Sequence, residues 1–190
     1  MPKIGALILA AGKGTRMHSI KPKVLQTLLG EPLLLYVVDA LRPLFGGAIW
    51  TVIGHQADMV RGVFSADDMR FVEQLQQLGT GHALLQAMPA LREGQCSHVL
   101  VVNGDTPLVS TALVKKFLEQ AQGADLAFAT LTLPEPGAYG RVVRQNGAVR
   151  AIVEAKDYDC AVYGPEPHEV NAGLYCFSMA LLETLVSQLG

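Results

Sequence analysis

The chain has 190 residues, half of them in the hydrophobic set and 17% charged, with 19 Gly and 10 Pro, which excludes disorder and collagen-like structure and suits one α/β core. Fifteen Lys+Arg against seventeen Asp+Glu give a net charge of −2, so there is no global positive field to hold nucleic acid or an anionic membrane, and any phosphate-binding charge is local. No apolar run approaches the roughly 20 residues needed to span a bilayer. Cys96, Cys160 and Cys176 are widely spaced with no C-x-x-C pair, which predicts a soluble, cytoplasmic protein with plain buried thiols.

Ile4 to Ala10 is a short apolar run that ends at a glycine-rich turn, the pattern of a fully buried, central strand rather than of a cleaved leader. After a polar loop, Pro32 stands where a first helical turn tolerates it, and Leu33 to Leu44 predicts a buried helix ended by Gly46-Gly47. A strand at Ala48 to Gly54, a helix at Gln56 to Phe64 and a strand at Arg70 to Gln74 follow. Gly81 to Leu91 fits a helix, Ser97 to Asn103 a very apolar strand, Ala112 to Gln122 a helix capped by Ser110, and Asp125 to Leu133 a strand. Arg141 to Arg144 and Ala148 to Glu154 flank Gln145-Asn146-Gly147, a hairpin signal. Val170 to Phe177 is a last strand, and Ser178 caps a helix from Met179 to Leu189. Strand and helix alternate, so the fold class is α/β, a Rossmann-like, mostly parallel sheet with helices on both faces and a small antiparallel portion. Ligands in such folds bind at strand C-termini, which marks the loops after Ala10, Gln74, Asn103 and Glu154.

The first of these loops, in Leu7-Ile-Leu-Ala-Ala-Gly-Lys-Gly-Thr-Arg-Met17, carries two glycines, a lysine and an arginine, and its backbone N–H groups could cradle phosphate. Met17 stands where the Rossmann fingerprint needs a third glycine, and the loop lacks the Walker spacing. Lys23 follows Pro22, a point charge with limited wander beside Arg16. Taken singly, each feature has an ordinary alternative: a tight turn with solvated charges, a solvated Glu154, an Asn171 that satisfies its own backbone, an Asp105 that shapes a turn.

Together, L-A-A-G-K-G-T-R-M, P-K-V-L and G-E-P-L-L resemble the signature of sugar-1-phosphate nucleotidyltransferases. Gln74 with Gln77-Leu-Gly-Thr-Gly-His-Ala83, Gly104-Asp105, Tyr139-Gly-Arg141, Val153-Glu154 with Lys156-Asp157, and Asn171-Ala-Gly173 are similar to the uridyltransferase domain of the bacterial bifunctional N-acetylglucosamine-1-phosphate uridyltransferases, in order over essentially the whole chain. The resemblance implies the nucleotide-diphospho-sugar transferase type of fold, with the antiparallel portion binding sugar. It also implies a Mg²⁺-dependent transfer from UTP to N-acetylglucosamine 1-phosphate, giving UDP-N-acetylglucosamine and pyrophosphate for cell-envelope (peptidoglycan and lipopolysaccharide) biosynthesis. Carried over by position, Leu9, Ala10, Ala11, Gly12 and Gly14 contact the nucleotide, and Gln74, Gly79 and Thr80 complete uracil recognition. Asn103 and Gly104 also touch substrate, Arg16 and Lys23 act on the phosphates as the catalytic pair, and Asp105 binds Mg²⁺. Gly140, Glu154 and Asn171 line the sugar pocket, and His82 is a supporting rather than a catalytic group.

Asn103, where the family commonly has tyrosine, Thr106, where it often has valine, and Ala172, where a hydroxyl residue is usual, depart from the pattern. Residues 1–190 are expected to form one nucleotidyltransferase domain, shortened at its C-terminal end before a second metal ligand and without the acetyltransferase β-helix, and its uncovered surface would favour a homo-oligomer. Two other readings remain: a molybdenum-cofactor-type nucleotidyltransferase and a non-catalytic nucleotide-sugar-binding module.

Overall fold

A computed structural model describes residues 3–12, 14, 19–64 and 69–188, so the expectations for Lys13, Arg16, Met17 and Leu189 lie outside the described residues. The chain divides into two compact units, one of residues 1–127 and 176–190 and one of residues 128–175.

In the first unit, β1 (Ile4–Leu9) is followed by a 3-10 turn at Lys23–Leu25, a short hairpin of β2 (Thr27–Leu28) and β3 (Glu31–Pro32), and α1 (Leu33–Phe45). Then come β4 (Ile49–Ile53), α2 (Ala57–Val63), β5 (Arg70–Glu73), α3 (Thr80–Glu93), β6 (His98–Asn103) and α4 (Thr111–Gln120). β5, β4, β1 and β6 lie side by side in that order, all parallel, with Leu7 opposite both Trp50 and Val101. Ala6, Leu7 and Ile8 are fully buried, as is every residue of β4, because helices cover the strands. Leu34, Val37, Val38 and Leu41 of α1 are sealed at helical spacing, each burial stabilising by about 1.5–3 kcal/mol. α1 packs with α4, and α3 with α6 (Met179–Val186). α1 and α3 both contact β1 and β4, as two helix layers over one sheet do.

Trp50, the sole tryptophan, is 2% exposed and fits only because Gly5 and Gly94 lack side chains: a Cβ on Gly94 would come within 2.5 Å of its ring, and one on Gly5 within 2.8 Å. The predicted caps are in place, Ser110 Oγ accepting from Leu113 N–H and Ser178 Oγ from Leu181 N–H, each at 3.2 Å. α6 ends at Val186, with Ser187 as its C-cap, short of the predicted end. The segment expected to be a polar loop contains the β2–β3 hairpin, turned through Leu29 (φ 53°) and Gly30 (φ 95°). Cys96 and Cys176 are buried and their thiol pKa values are raised by desolvation. Cys160 is exposed, against expectation, because it begins a single helical turn at the surface, α5 (Cys160–Tyr163). No described helix is long and apolar enough to cross a membrane.

In the second unit the strands are antiparallel. β8 (Arg141–Gln145) and β9 (Ala148–Val153) join through Asn146 and Gly147, at φ 52° and 80°, the positive-φ pair of a tight hairpin. β10 (Glu169–Ser178) pairs with β8, Val170 opposite Arg141, and β7 (Leu126–Thr132) pairs with β10. β9 is largely exposed.

Candidate functional site

The first unit opens a cleft of about 540 Å³ at the C-terminal ends of its parallel strands, within the roughly 300–1,000 Å³ usual for small-molecule sites. Its walls are three strand exits. From β1 come Leu9, Ala10, Ala11 and Gly12, and then Gly14. Ala10 and Ala11 are buried, with Ala10 N–H donating to Val52 carbonyl at 2.8 Å, so this stretch lies against the sheet rather than in solvent. From β5 comes Gln74, whose N–H donates to the Ile53 carbonyl at 2.8 Å, followed by Gln77, Gly79 and Thr80 at the start of α3. From β6 come Asn103 and Asp105. Gly104 stands behind them: a Cβ there would lie 3.2–3.3 Å from Ile8, Val24 and Ala10. Thr106 Oγ1 donates to the Asn103 carbonyl at 2.6 Å and fixes this turn.

Among the described residues, charge enters the cleft through the ion pair of Lys23 Nζ on Asp105 Oδ2, with side chains 43% and 24% exposed. Asp105 thus presents a hard oxygen beside an ammonium at the mouth of a mostly apolar wall. Gly14, at φ 60°, lies close under Lys23: its missing Cβ would meet Lys23 Cβ at 2.9 Å. That approach needs a glycine on both steric and conformational grounds.

Gln74 is the most buried polar group here, 3% exposed. Its side-chain nitrogen lies 3.0 Å from the Gly79 carbonyl and 2.9 Å from His82 Nδ1, while Gln77 Nε2 donates to the Gln74 carbonyl at 3.0 Å. Gly54, at the exit of β4, leaves the room for this: a Cβ on it would sit 2.9 Å from Ala11 Cβ, Gln74 O and Gln77 Nε2 alike.

Gly140, Glu154 and Asn171 belong to the second unit and are described within it. Asn171 N–H donates to the Gly140 carbonyl at 2.9 Å, its Oδ1 accepts from Gly173 N–H at 3.0 Å, and its Nδ2 donates to Tyr175 Oη. The side chain therefore does satisfy local groups. Burial pushes the Tyr175 hydroxyl pKa up; the Asn171 hydrogen bond opposes this and the nearby Glu154 charge adds to it. Glu154 itself is exposed at the start of a 3-10 turn, Ala155–Asp157. Arg141, 5% exposed, donates to the Tyr139 carbonyl and through Nε to Glu166 Oε1 at 2.7 Å, pinning the chain on either side of Gly140.

Most of the nucleotide-side residues expected from the sequence share the one cleft, and Arg16 lies outside the described residues. Val24, Gln77 and Ala83, quoted in the motifs without a role of their own, also line the cleft, and Gly54 backs it from behind. Tyr175 was also missed, although the two-residue period of β10 puts it on the face of Asn171 and Gly173.

The family of MobA-like NTP transferase domains matches residues 6–185. This chain belongs to that family. The chain is 65% identical over 185 residues to the bifunctional protein GlmU of Nitratidesulfovibrio vulgaris (strain DSM 19637 / Miyazaki F), covering 97% of this chain and 41% of that protein. It is 56% identical over 184 residues to the bifunctional protein GlmU of Oleidesulfovibrio alaskensis (strain ATCC BAA-1058 / DSM 17464 / G20), covering 96% and 40%. The chain thus spans about two fifths of the length of these relatives. HddC from Yersinia pseudotuberculosis, solved in complex with GMP-PN, matches the fold with a TM-score of 0.73 at 25% identity, over 96% of this chain and 79% of that one.

Proposed function

We propose that this MobA-like NTP transferase domain transfers a uridylyl group from UTP to N-acetylglucosamine 1-phosphate, releasing pyrophosphate and forming UDP-N-acetylglucosamine, a precursor for cell-envelope polymers. The observation that carries this reading is the buried Gln74 carboxamide, held at one wall of the cleft that also contains the Lys23–Asp105 pair. An amide can match the edge of a pyrimidine, and the ion pair supplies the charges a triphosphate needs. The motif order and the likeness to bifunctional GlmU proteins support uridine and an amino sugar over a molybdenum-cofactor substrate.

The nucleophile is a phosphate oxygen of the sugar 1-phosphate, ionised at neutral pH, so no general base is required. A bond forms from that oxygen to the α-phosphorus of UTP, and the bond from the α-phosphorus to the bridging oxygen breaks as pyrophosphate leaves. The protein's work is to bring two polyanions together in line and to offset their charge. Lys23, and Arg16 of the same segment, would contact the phosphates. The cleft loop of Ala11, Gly12 and Gly14 would let the nucleotide approach backbone, and Gly140, Glu154 and Asn171 would meet the sugar.

Asp105 suits a Mg²⁺ ion in the manner of sites where one carboxylate and the substrate phosphates share the metal. Its carboxylate faces the cleft, and the described residues hold no group of three or more metal-ligating side chains that would form an all-protein cage. Mg²⁺, when bound, would offset charge on the triphosphate. The test is pyrophosphate release by this chain with UTP, Mg²⁺ and N-acetylglucosamine 1-phosphate, with CTP, GTP and glucose 1-phosphate in parallel. Release that requires UTP and is fastest with the acetamido sugar is expected. Binding of UDP-N-acetylglucosamine without any release would instead indicate a binding module.

A further inference from the structure

We propose that His82 is a positioning residue that locks the Gln74 carboxamide with its oxygen toward the cleft, and that this lock sets the preference for a pyrimidine carrying a hydrogen on N3, uracil, over cytosine. The proposal rests on the uridine reading above and adds to it a cause of base selection.

The orientation follows from hydrogen-bond chemistry. The Gly79 carbonyl can only accept, so the Gln74 atom 3.0 Å from it is the NH₂ nitrogen. The second hydrogen of that NH₂ group has His82 Nδ1 as its neighbour at 2.9 Å. Nδ1 must then present a lone pair, which fixes His82 as the neutral tautomer with its hydrogen on Nε2. Nε2 lies 3.3 Å from Gln86 Nε2, one turn further along α3. With the ring hydrogen on Nε2 these two nitrogens cannot both donate, so the lock requires the Gln86 amide to turn over and offer Oε1 to the imidazole.

With both amide hydrogens committed, and with the Gln74 backbone held by Ile53 on one side and Gln77 on the other, the carboxamide has no freedom to turn over. Among the described residues no group donates to Gln74 Oε1. The residue is nearly sealed from solvent and lines the cleft, so what remains for a ligand is one fixed acceptor. Uracil offers N3–H to an acceptor. Cytosine offers a lone pair at N3, which an amide oxygen repels. Without a hydrogen-bond acceptor at His82, only the Gly79 carbonyl would hold the NH₂ group, the carboxamide would be less firmly set, and the discrimination would weaken.

The experiment compares UDP and CDP affinity by calorimetry in the intact chain, in His82→Leu, which removes the acceptor, and in His82→Asn, whose side-chain oxygen can take the place of Nδ1. The lock predicts that the Leu variant loses about tenfold of the UDP-to-CDP affinity ratio, the size of one hydrogen bond to a fixed group, and that Asn restores most of it. Steady-state turnover should show the same loss in KM for UTP, with KM for the sugar phosphate unchanged. A Leu variant that melts normally and keeps the wild-type ratio would overturn the lock alone. A wild-type chain without preference for UDP would overturn the uridine reading together with the lock. Nitrogen NMR of the histidine rings in the wild type adds a readout that needs no variant: His82 protonated on Nε2 supports the lock, and His82 protonated on Nδ1 refutes it.

Discussion

The two units hold their candidate ligand-contacting residues in different ways. In the first, the site is a by-product of the core: strands β1, β4 and β6 are buried along most of their length, with β5 as a partly exposed edge, and the strand exits leave Ala10, Ala11, Gln74 and Gly104 little freedom. In the second, β9 is mostly exposed and polar groups supply the order, with Arg141 on Glu166 and Tyr139, Arg144 on Glu169, and Asn171 on Tyr175. Apolar packing is non-directional and tolerates charge changes at the cleft mouth, whereas the second unit depends on individual charged side chains. The same kind of substitution should therefore do opposite things in the two units.

The sharpest contrast is expected at Lys23. It is 43% exposed, so its ion pair with Asp105 is worth under about 1 kcal/mol of stability. Lys23→Ala should lower turnover on the order of 100-fold or more, the scale of a lost charge contact in the transition state, while the melting temperature hardly moves. Arg16→Ala should behave alike. Unchanged steady-state kinetics in both variants would remove these residues from the mechanism. In the second unit the balance reverses. Arg141 is 5% exposed and already paired, so Arg141→Ala should cost about 2–3 kcal/mol in urea unfolding, and with it raise KM for the sugar phosphate through Gly140. A normal urea midpoint would show that the unit does not rely on that side chain.

Gly54→Ala tests the first unit's dependence on steric room. A Cβ 2.9 Å from Ala11, Gln74 and Gln77 should cost about 1–2 kcal/mol and raise KM for UTP more than KM for the sugar, and an effect confined to stability would separate Gly54 from the base wall. The smallest effect concerns pH. Hydrogen bonds from Arg144, first, and from Thr130 hold the Glu169 carboxyl below its ordinary pKa, with burial opposing. A carboxyl depressed on folding stabilises at neutral pH, and that contribution disappears as pH falls from the ordinary carboxylate range through the lowered folded value. Glu169→Gln should flatten this part of the acid unfolding profile and leave the remainder unchanged.

Much of the first unit is legible in the sequence for a physical reason. Parallel strands buried on both faces read as unbroken apolar runs, so β1, β4 and β6 stand out, and Ser110 and Ser178 announce helix starts. The β2–β3 hairpin is hidden because its strands have two residues each and its turn uses Leu29-Gly30 instead of an Asn-Gly pair. The loops at the strand ends were visible as places where glycine and charge accumulate. The contacts that shape them were not: Lys23 meets Asp105, and Gly54 meets Gln77, only after folding brings separate exits together. The imidazole of His82 could be read as a supporting group, but its partner Gln74 is fixed by the turn through Gly79, which no local pattern specifies.

The most direct measurement is a thermal melt of this chain with Mg²⁺, alone and with UDP-N-acetylglucosamine, GDP-mannose or ADP-glucose. At about a hundred times its dissociation constant, a ligand of the folded state adds about 2.7 kcal/mol, which for a chain of this size raises the midpoint by roughly 5–10 °C. A rise of that size with UDP-N-acetylglucosamine alone is the predicted result. A cooperative melt that no ligand shifts, or that all three shift equally, would contradict the assignment of the cleft to uridine and the amino sugar.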